Sequence, residues 1–492
     1  VGLLFSALIR YHINMKKFIN KSLWFLSLIL IFVSVIVLTG CGVKTPETAA
    51  SLVAAGDQLF NEQEYSAALV NYQTAIGLDS TFIPAYQASS KVLQLRRNFS
   101  AALTNVTEGL VTNPNNLELL LLQGEIYLKQ NDYPNAQAVY EAILIISPGE
   151  ERAILGKIEA LILAGKISDA QTMTIGITKT TNTPRLFLLA IALNSDNSEK
   201  TNFFLTELES RSNPDYQKIV EKMRAELFKM QVTENRLAAI AEMANFLLQY
   251  QETTAAIPFI QQLITINEYY EIGHVYKAIV LMDHGFNSEA VSELEKALSL
   301  KPDLLETRIY LLEAYLANGN QEKAQTLLDD SLDYFSLERV NELKALINIL
   351  IDYRKFDQAA KVLDYYKNLN PAEFTDLDLQ VAVVEVNTSL NNQTMAIASA
   401  EALLVDTNQL SREAKVKLYT YYGYALYLNN EKARALEWLK KAESIDNSFA
   451  DNFYFQAVIY LNQQKYIEAD RAIQRASDLD LSGKLQVEKL KI

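Results

Sequence analysis

The chain has one thiol and three imidazoles, the side chains most used as metal ligands and nucleophiles, in 492 residues: Cys41, His12, His274 and His284. A metal centre needs ligands that converge at set spacings, and neither an HExxH helix nor a paired-cysteine spacing is present. With one cysteine no internal disulfide can form. His274 falls where a large packing residue belongs. His284 precedes Gly285 in a turn, where a cation also suits a helix end. The stretch "LAGKIS" has the glycine and lysine of a phosphate-cradling loop. Ile167, however, stands where a hydroxyl must meet the metal, and no glycine lies five residues before Gly165. Carboxylates are plentiful but scattered, and no pair forms an evident acid–base couple. The residue types therefore predict a protein that is not an enzyme and needs no metal or cofactor.

The surroundings of Cys41 suggest a different use for its thiol. Met15-Lys16-Lys17 opens a basic stretch that includes Lys21, and Leu23 to Leu38 is apolar except for Ser27 and Ser34. Charge followed by grease is the order of a secretory signal, with the positive end held in the cytoplasm. Leu38-Thr39-Gly40-Cys41 resembles the lipobox of bacterial lipoproteins: an aliphatic residue, two small ones, then cysteine. The resemblance implies acylation of the Cys41 thiol, cleavage before it, and acylation of the new amino terminus. Small residues at 39 and 40 suit a peptidase that must grip extended backbone. The competing reading is an uncleaved anchor with an incidental cysteine. Several acyl chains hold a membrane stably where one does so only marginally. Residues 1–40 are thus expected to be a signal peptide, with Met15 a more fitting start than Val1, and 41–48 a lipidated amino terminus and linker. Gly42 replaces the aspartate that often retains lipoproteins at an inner membrane. The expected location is therefore the periplasmic face of an outer membrane where two membranes exist, and otherwise the outer face of the cytoplasmic membrane.

The remaining chain is strongly acidic. Of 45 Lys and Arg, four (Arg10, Lys16, Lys17, Lys21) lie in residues 1–40, which contain no acid. That leaves 41 bases against 59 acids. Such a balance repels phosphate backbones, so nucleic acid is not an expected partner. Hydrophobic residues at 49%, with 16 Gly and 10 Pro, indicate a folded chain poor in turns. The length exceeds one ordinary core.

One period organises it. Ala68, Ala102, Ala136 and Ala170 are 34 residues apart, as are Ala256, Ala290 and Ala324, and likewise Ala435 and Ala469. In "LLLQGEIYLKQNDYPNAQAVYEAILIISP", Gly124 and Tyr127 fit a first helix, Ala136 and Tyr140 a second, and Pro148 its stop. "YKAIVLMDHGFNSEAVSELEKALSLKP" repeats the pattern with Ala278, Ala290, Ala297 and Pro302. "FQAVIYLNQQKYIEADRAIQRASDLD" does so with Ala457, Tyr460, Ala469 and Ala476. These residues resemble the tetratricopeptide repeat. Small residues allow helices to cross closely, and Gly165, Gly285, Gly319 and Asn131 sit in the turns. Pro114, Pro148, Pro302 and Pro371 end second helices. Helices this short cannot stand alone, so each pair must bury its apolar stripe on the next.

The expected fold is all-α: an α-α superhelical solenoid of about twelve tetratricopeptide-type hairpins. A first block is expected over 49–216, one additional helix over 217–236, a second block over 237–483, and a polar capping tail over 484–492. Between Ala324 and Ala435 the steps become 35, 37 and 39 residues (Ala359, Ala396, Ala435), which fits lengthened loops. In this family first helices line a concave groove that holds peptides or partner helices. Tyr276, Tyr310, Tyr421, Tyr424, Tyr427 and Tyr454 lie on first helices and are candidate anchors there, against the alternative that they pack between helices. The first units offer Asp57, Lys91 and Glu125 near that groove, a mixed set that does not suit a carboxylate clamp. The expected function is a membrane-anchored scaffold that binds protein or peptide in cell-envelope assembly, secretion or complex organisation. Two other classes stand beside it: an extracytoplasmic lipoprotein that captures a solute or nutrient, and a non-catalytic regulator of an envelope enzyme.

Overall fold

The computed structural model describes residues 47–178, 180–211, 214–335, 339–369, 374–481 and 483–490. The leader, the Leu38-Thr39-Gly40-Cys41 motif and Pro371 lie outside the described residues.

Among the described residues the chain forms helices and short 3-10 turns, and no strand. Five hairpins come first: α1 (Ala49–Asn61) with α2 (Tyr65–Leu78), α3 (Ile83–Leu95) with α4 (Phe99–Thr112), α5 (Leu117–Lys129) with α6 (Tyr133–Ile146), α7 (Glu151–Leu163) with α8 (Ile167–Met173), and α9 (Pro184–Leu193) with α10 (Ser198–Arg211). A single helix, α11 (Pro214–Val232), follows. Seven hairpins complete the array: α12 (Arg236–Gln249) with α13 (Thr253–Ile266), α14 (Glu271–Asp283) with α15 (Asn287–Leu300), α16 (Leu305–Ala317) with α17 (Gln321–Ser331), α18 (Val340–Asp352) with α19 (Phe356–Leu369), α20 (Leu377–Ser389) with α21 (Gln393–Leu404), α22 (Arg412–Leu428) with α23 (Lys432–Ile445), and α24 (Ala450–Asn462) with α25 (Tyr466–Leu479). Each helix packs on its chain neighbours, except between α17 and α18, where α16 meets α18 instead, so the twelve hairpins stack in sequence order as an α-α superhelical solenoid.

The periodic alanines are where helices meet. Ala68, Ala102, Ala136, Ala170, Ala256, Ala290, Ala359, Ala396, Ala435 and Ala469 are all fully buried. Tyr140 on α6 shows how close the approach is. Its ring lies between Gly124 of α5 and Gly156 of α7, and a methyl group added at either glycine would come within 2.6 Å or 2.2 Å of it.

The hairpin turns share one backbone device. Residues 63, 97, 131, 165, 251, 285, 319, 354, 391, 430 and 464 all adopt positive φ, between 56° and 78°. The amide after each donates to the carbonyl five residues back, as in Asn98 N–H to Leu93 O at 2.8 Å and Glu431 N–H to Leu426 O at 2.8 Å. This satisfies a carbonyl left over at the end of the first helix. Only three of these residues are glycines. Side-chain caps then start many helices, Asn98, Asp132, Asn235 and Asn320 among them.

Within the stack, α9 is enclosed by its neighbours. Every residue from Leu186 to Leu193 is buried, because α9 touches α7, α8, α10 and also α13. A helix apolar on all sides must be enclosed on all sides. At the far end, Leu485 and Val487 fold back and are buried against Phe453, Ala457, Ala472, Ile473 and Ala476. The tail is therefore partly apolar in its contacts, where the sequence suggested a polar cap.

The two ends also meet. Asp478, 2% exposed on α25, pairs with Arg96 and accepts from the Ser66 hydroxyl at 2.7 Å and the Ser66 amide at 3.1 Å. Arg475 donates to the Glu62 carbonyl at 2.8 Å. Among the described residues, no helix is long and apolar enough to cross a membrane.

Candidate functional site

A concave cavity of about 830 Å³ opens on the first helices of the last four hairpins. Helical spacing supplies its walls. Lys344, Asn348 and Asp352 rise four residues apart along α18, Lys417 and Tyr421 do so along α22, and Asp378 and Glu385 line it from α20. Asp451 contributes from α24, and the tail closes one side with Asp480, Lys484 and Leu485.

Its charges are mostly paired internally. Arg354 meets Asp451 at 2.8 Å. Burial is the largest single influence and works against the Arg354 charge, but Asp451, Tyr421 and Glu385 together hold the guanidinium above its ordinary value. Lys417 lies 3.0 Å from Glu413, and Lys344 pairs with Asp376. Glu385 is 6% exposed, and burial pushes its carboxyl up to about 7, although the Tyr421 hydroxyl bonded to it pulls the other way. Near neutrality it therefore shares its time between charged and neutral forms.

One corner differs. The side chains of Glu313 on α16, just behind the lining, and of Asp352 on α18 have no hydrogen bond or ion pair among the described residues. Burial, with repulsion from Asp352, raises the Glu313 carboxyl, and Lys484 partly offsets this. The Lys484 ammonium lies 5.3 Å from the centre of the Tyr353 ring, a cation–π contact.

The structure divides the six candidate tyrosines. Tyr421 is not a surface anchor: it is 2% exposed, and its hydroxyl is spent on Glu385. It reaches the cavity only as part of the wall. Tyr424 lies flat on Phe455, with centroids 4.0 Å apart and planes 5° apart, and stacks on Tyr427 at 5.6 Å. Tyr454 meets Phe455 edge-on at 5.9 Å. These three are half-buried and lie outside the cavity lining. Tyr276 and Tyr310, also half-buried, sit on the adjacent helices α14 and α16, and burial pushes the Tyr276 hydroxyl up to about 12. Tyrosine counting thus missed the cavity's working groups, Glu385, Asp352, Arg354 and Lys417.

A signal for the carboxylates was present in the register. Glu125, Glu159, Glu313 and Glu385 each occur one residue after the slot where the first helix crosses its partner. In all four, burial raises the carboxyl above its usual range. That register position is therefore partly desolvated rather than in open solvent, and at Glu385 it faces the cavity.

The histidines are held in place by structure. His274 is 3% exposed, with Nδ1 2.6 Å from Glu293 and Nε2 2.8 Å from the Glu268 carbonyl. His284 Nδ1 contacts the Val280 carbonyl at 2.9 Å, and its own carbonyl accepts from Asn131 at 2.8 Å. Among the described residues, no group of three or more His, Cys, Asp and Glu side chains could hold a metal. A second, smaller cleft of about 410 Å³ runs between the third and fourth hairpins and the sixth and seventh. Ile162, Ile257, Ile264 and Val280 give it an apolar lining.

Two family models described as tetratricopeptide repeat match the chain, one over residues 127–190 and 281–347 and the other over 91–151. The unmatched stretch between residues 190 and 281 holds α10 to α13 and most of α14. No curated protein matches the sequence. Among solved structures, similarity extends to the Cut9–Hcn1 hetero-tetramer of APC/C, with 12% identity, a TM-score of 0.38, and 89% of this chain and 96% of that one covered. It extends also to yeast Tom70, with 16% identity, a TM-score of 0.34 and 90% and 94% covered. A third is Naa15/Naa10 bound to HypK-THB, with 12% identity, a TM-score of 0.34 and 91% and 92% covered.

Proposed function

We propose that the chain is a membrane-anchored scaffold that holds a protein or peptide partner in the concave cavity of its last four hairpins. The supporting observation is the cavity itself: four successive first helices present polar side chains to one hollow of about 830 Å³. A hollow of that size suits a few residues of extended peptide, with orientation set by a small number of polar groups. Anchoring rests on the leader and on Leu38-Thr39-Gly40-Cys41, which place an acylated Cys41 eight residues before α1. The scaffold then works close to the membrane, on its extracytoplasmic face.

Asn348 is exposed and lines the cavity, so a bulky residue there fills the hollow without touching the core. Peptides selected from a random library on the full-length chain should lose binding to Asn348→Trp. Selected peptides that bind this variant equally well would move the site elsewhere. For the anchor, radiolabelled palmitate should label the wild type and not Cys41→Ser, and the variant should leave the membrane fraction. Equal membrane retention of both would overturn the lipid anchor.

A further inference from the structure

The chain places one of its own cations in the cavity. Lys484, on the tail, sits over the Tyr353 ring at 5.3 Å and is near enough to Glu313 to favour its charged form. Around it the balance of unengaged charge is negative. The lining cations have partners: Lys344 with Asp376, Arg354 with Asp451, Lys417 with Glu413, and Lys484 itself on Tyr353. The side chains of Glu313, Asp352 and Asp378 have no such partner among the described residues. Asp352 is exposed, and both Asp352 and Asp378 line the hollow. Glu313 and Tyr353 stand just behind the lining, beside Lys484, so the edge of the hollow offers the exposed Asp352 carboxylate, a second carboxylate with unused acceptor capacity and an aromatic face, the combination that receives an ammonium or guanidinium group.

We infer that the partner segment is basic: an extended peptide that presents a lysine or arginine side chain to the Glu313–Asp352–Tyr353 corner, displacing Lys484 as it binds. This rests on the peptide-holding reading above and adds the sign of the partner. Lys484 is a placeholder: it keeps the corner neutralised in the empty protein and competes for it in the filled one. Because the corner is half open to solvent, the attraction is screened by salt.

The test is fluorescence anisotropy on the full-length chain in a non-ionic detergent, with two labelled nonapeptides, one alternating Lys with Ser and the other alternating Glu with Ser. The lysine peptide should bind, and the glutamate peptide should not. Raising the salt from about 0.05 to 0.5 M should weaken binding at least about threefold. Asp352→Asn and Glu313→Gln should each weaken it about tenfold, while Lys484→Ala should tighten it about threefold. Glu289→Gln and Glu322→Gln, exposed on the second helices α15 and α17, should change nothing. If those two weaken binding as much as Asp352→Asn does, the attraction is to overall charge and the inference fails. A Lys484→Ala variant that binds more weakly would also overturn it. Preference for the glutamate peptide overturns the sign of the partner while leaving the peptide-holding reading intact. If neither nonapeptide binds but library-selected peptides still depend on Asn348, the same distinction holds. Failure of every peptide overturns both.

Discussion

A single carboxyl couples the cavity to pH. Glu385 ionises in the unfolded chain near the ordinary glutamate value of 4.5, and in the folded chain at about 7. Below the lower value both states are neutral and burial of the carboxyl carries no charge penalty. Between the two values the unfolded state sheds its proton while the folded state keeps it, so this group lowers stability as pH rises, and the effect levels off above about 7. Glu385→Gln stays neutral throughout. Urea unfolding at a series of pH values should show the variant gaining on the wild type between about pH 4.5 and 7.5. The full shift is worth up to about 3 kcal/mol. A constant difference across that range would mean that Glu385 reaches solvent. The residue scale is also where sequence reading fell short. Tyr421 looked like an anchor because tyrosine at helical spacing suits either a groove or a core. Only the neighbouring helices α20 and α24 decide between the two, and they enclose it.

Helices and turns were the most legible level. The alanine period located the second helices because only a small residue fits where two helices cross; the steps of 35 and 37 residues followed longer connections after α17 and α19, whereas the step of 39 owes as much to the 17-residue α22 as to the connection after α21. The turns were only partly legible. Gly165, Gly285, Gly319 and Asn131 announced themselves, but Gln63, Arg97, Gln251, Arg354 and Gln464 adopt the same left-handed conformation with no compositional hint. There the pull of the 34-residue packing overrides a local preference of about 1–2 kcal/mol. Glycine at such a position relieves that strain, at the cost of a more flexible unfolded chain. Gln251→Gly should therefore raise stability by about 0.5–1 kcal/mol, measured by thermal or urea unfolding. A loss would mean that the Gln251 side chain does more than occupy a turn. The enclosure of α9 was not legible, since "RLFLLAIALN" is apolar on all sides and says nothing of which helices cover it.

The whole molecule depends on a contact that local sequence pattern cannot reveal. Ser66 and Asp478 are 412 residues apart, and they meet because the stacked hairpins return α25 to α2 and to Arg96 just beyond α3. Asp478 is buried while Arg96 keeps some access to solvent, at 2% and 28% exposure. Removing the carboxylate leaves a cation that water can partly recover, so Asp478→Ala should cost about 1–3 kcal/mol. The clearer readout is shape. Small-angle scattering should show a larger radius of gyration for the variant, and dyes placed near residues 62 and 475 should move apart. Unchanged dimensions would show that the ends are held by other contacts.

A coil with two loose ends ravels from those ends, because each terminal turn lacks a neighbour on one side. Hooking the first turns to the last removes both starting points. Ravelling must then begin at an interior seam, and one thin seam is visible: α8 has only seven residues and gives way to the irregular stretch before α9. Protease nicking and fast amide exchange should therefore concentrate near residues 174–183, well away from either terminus.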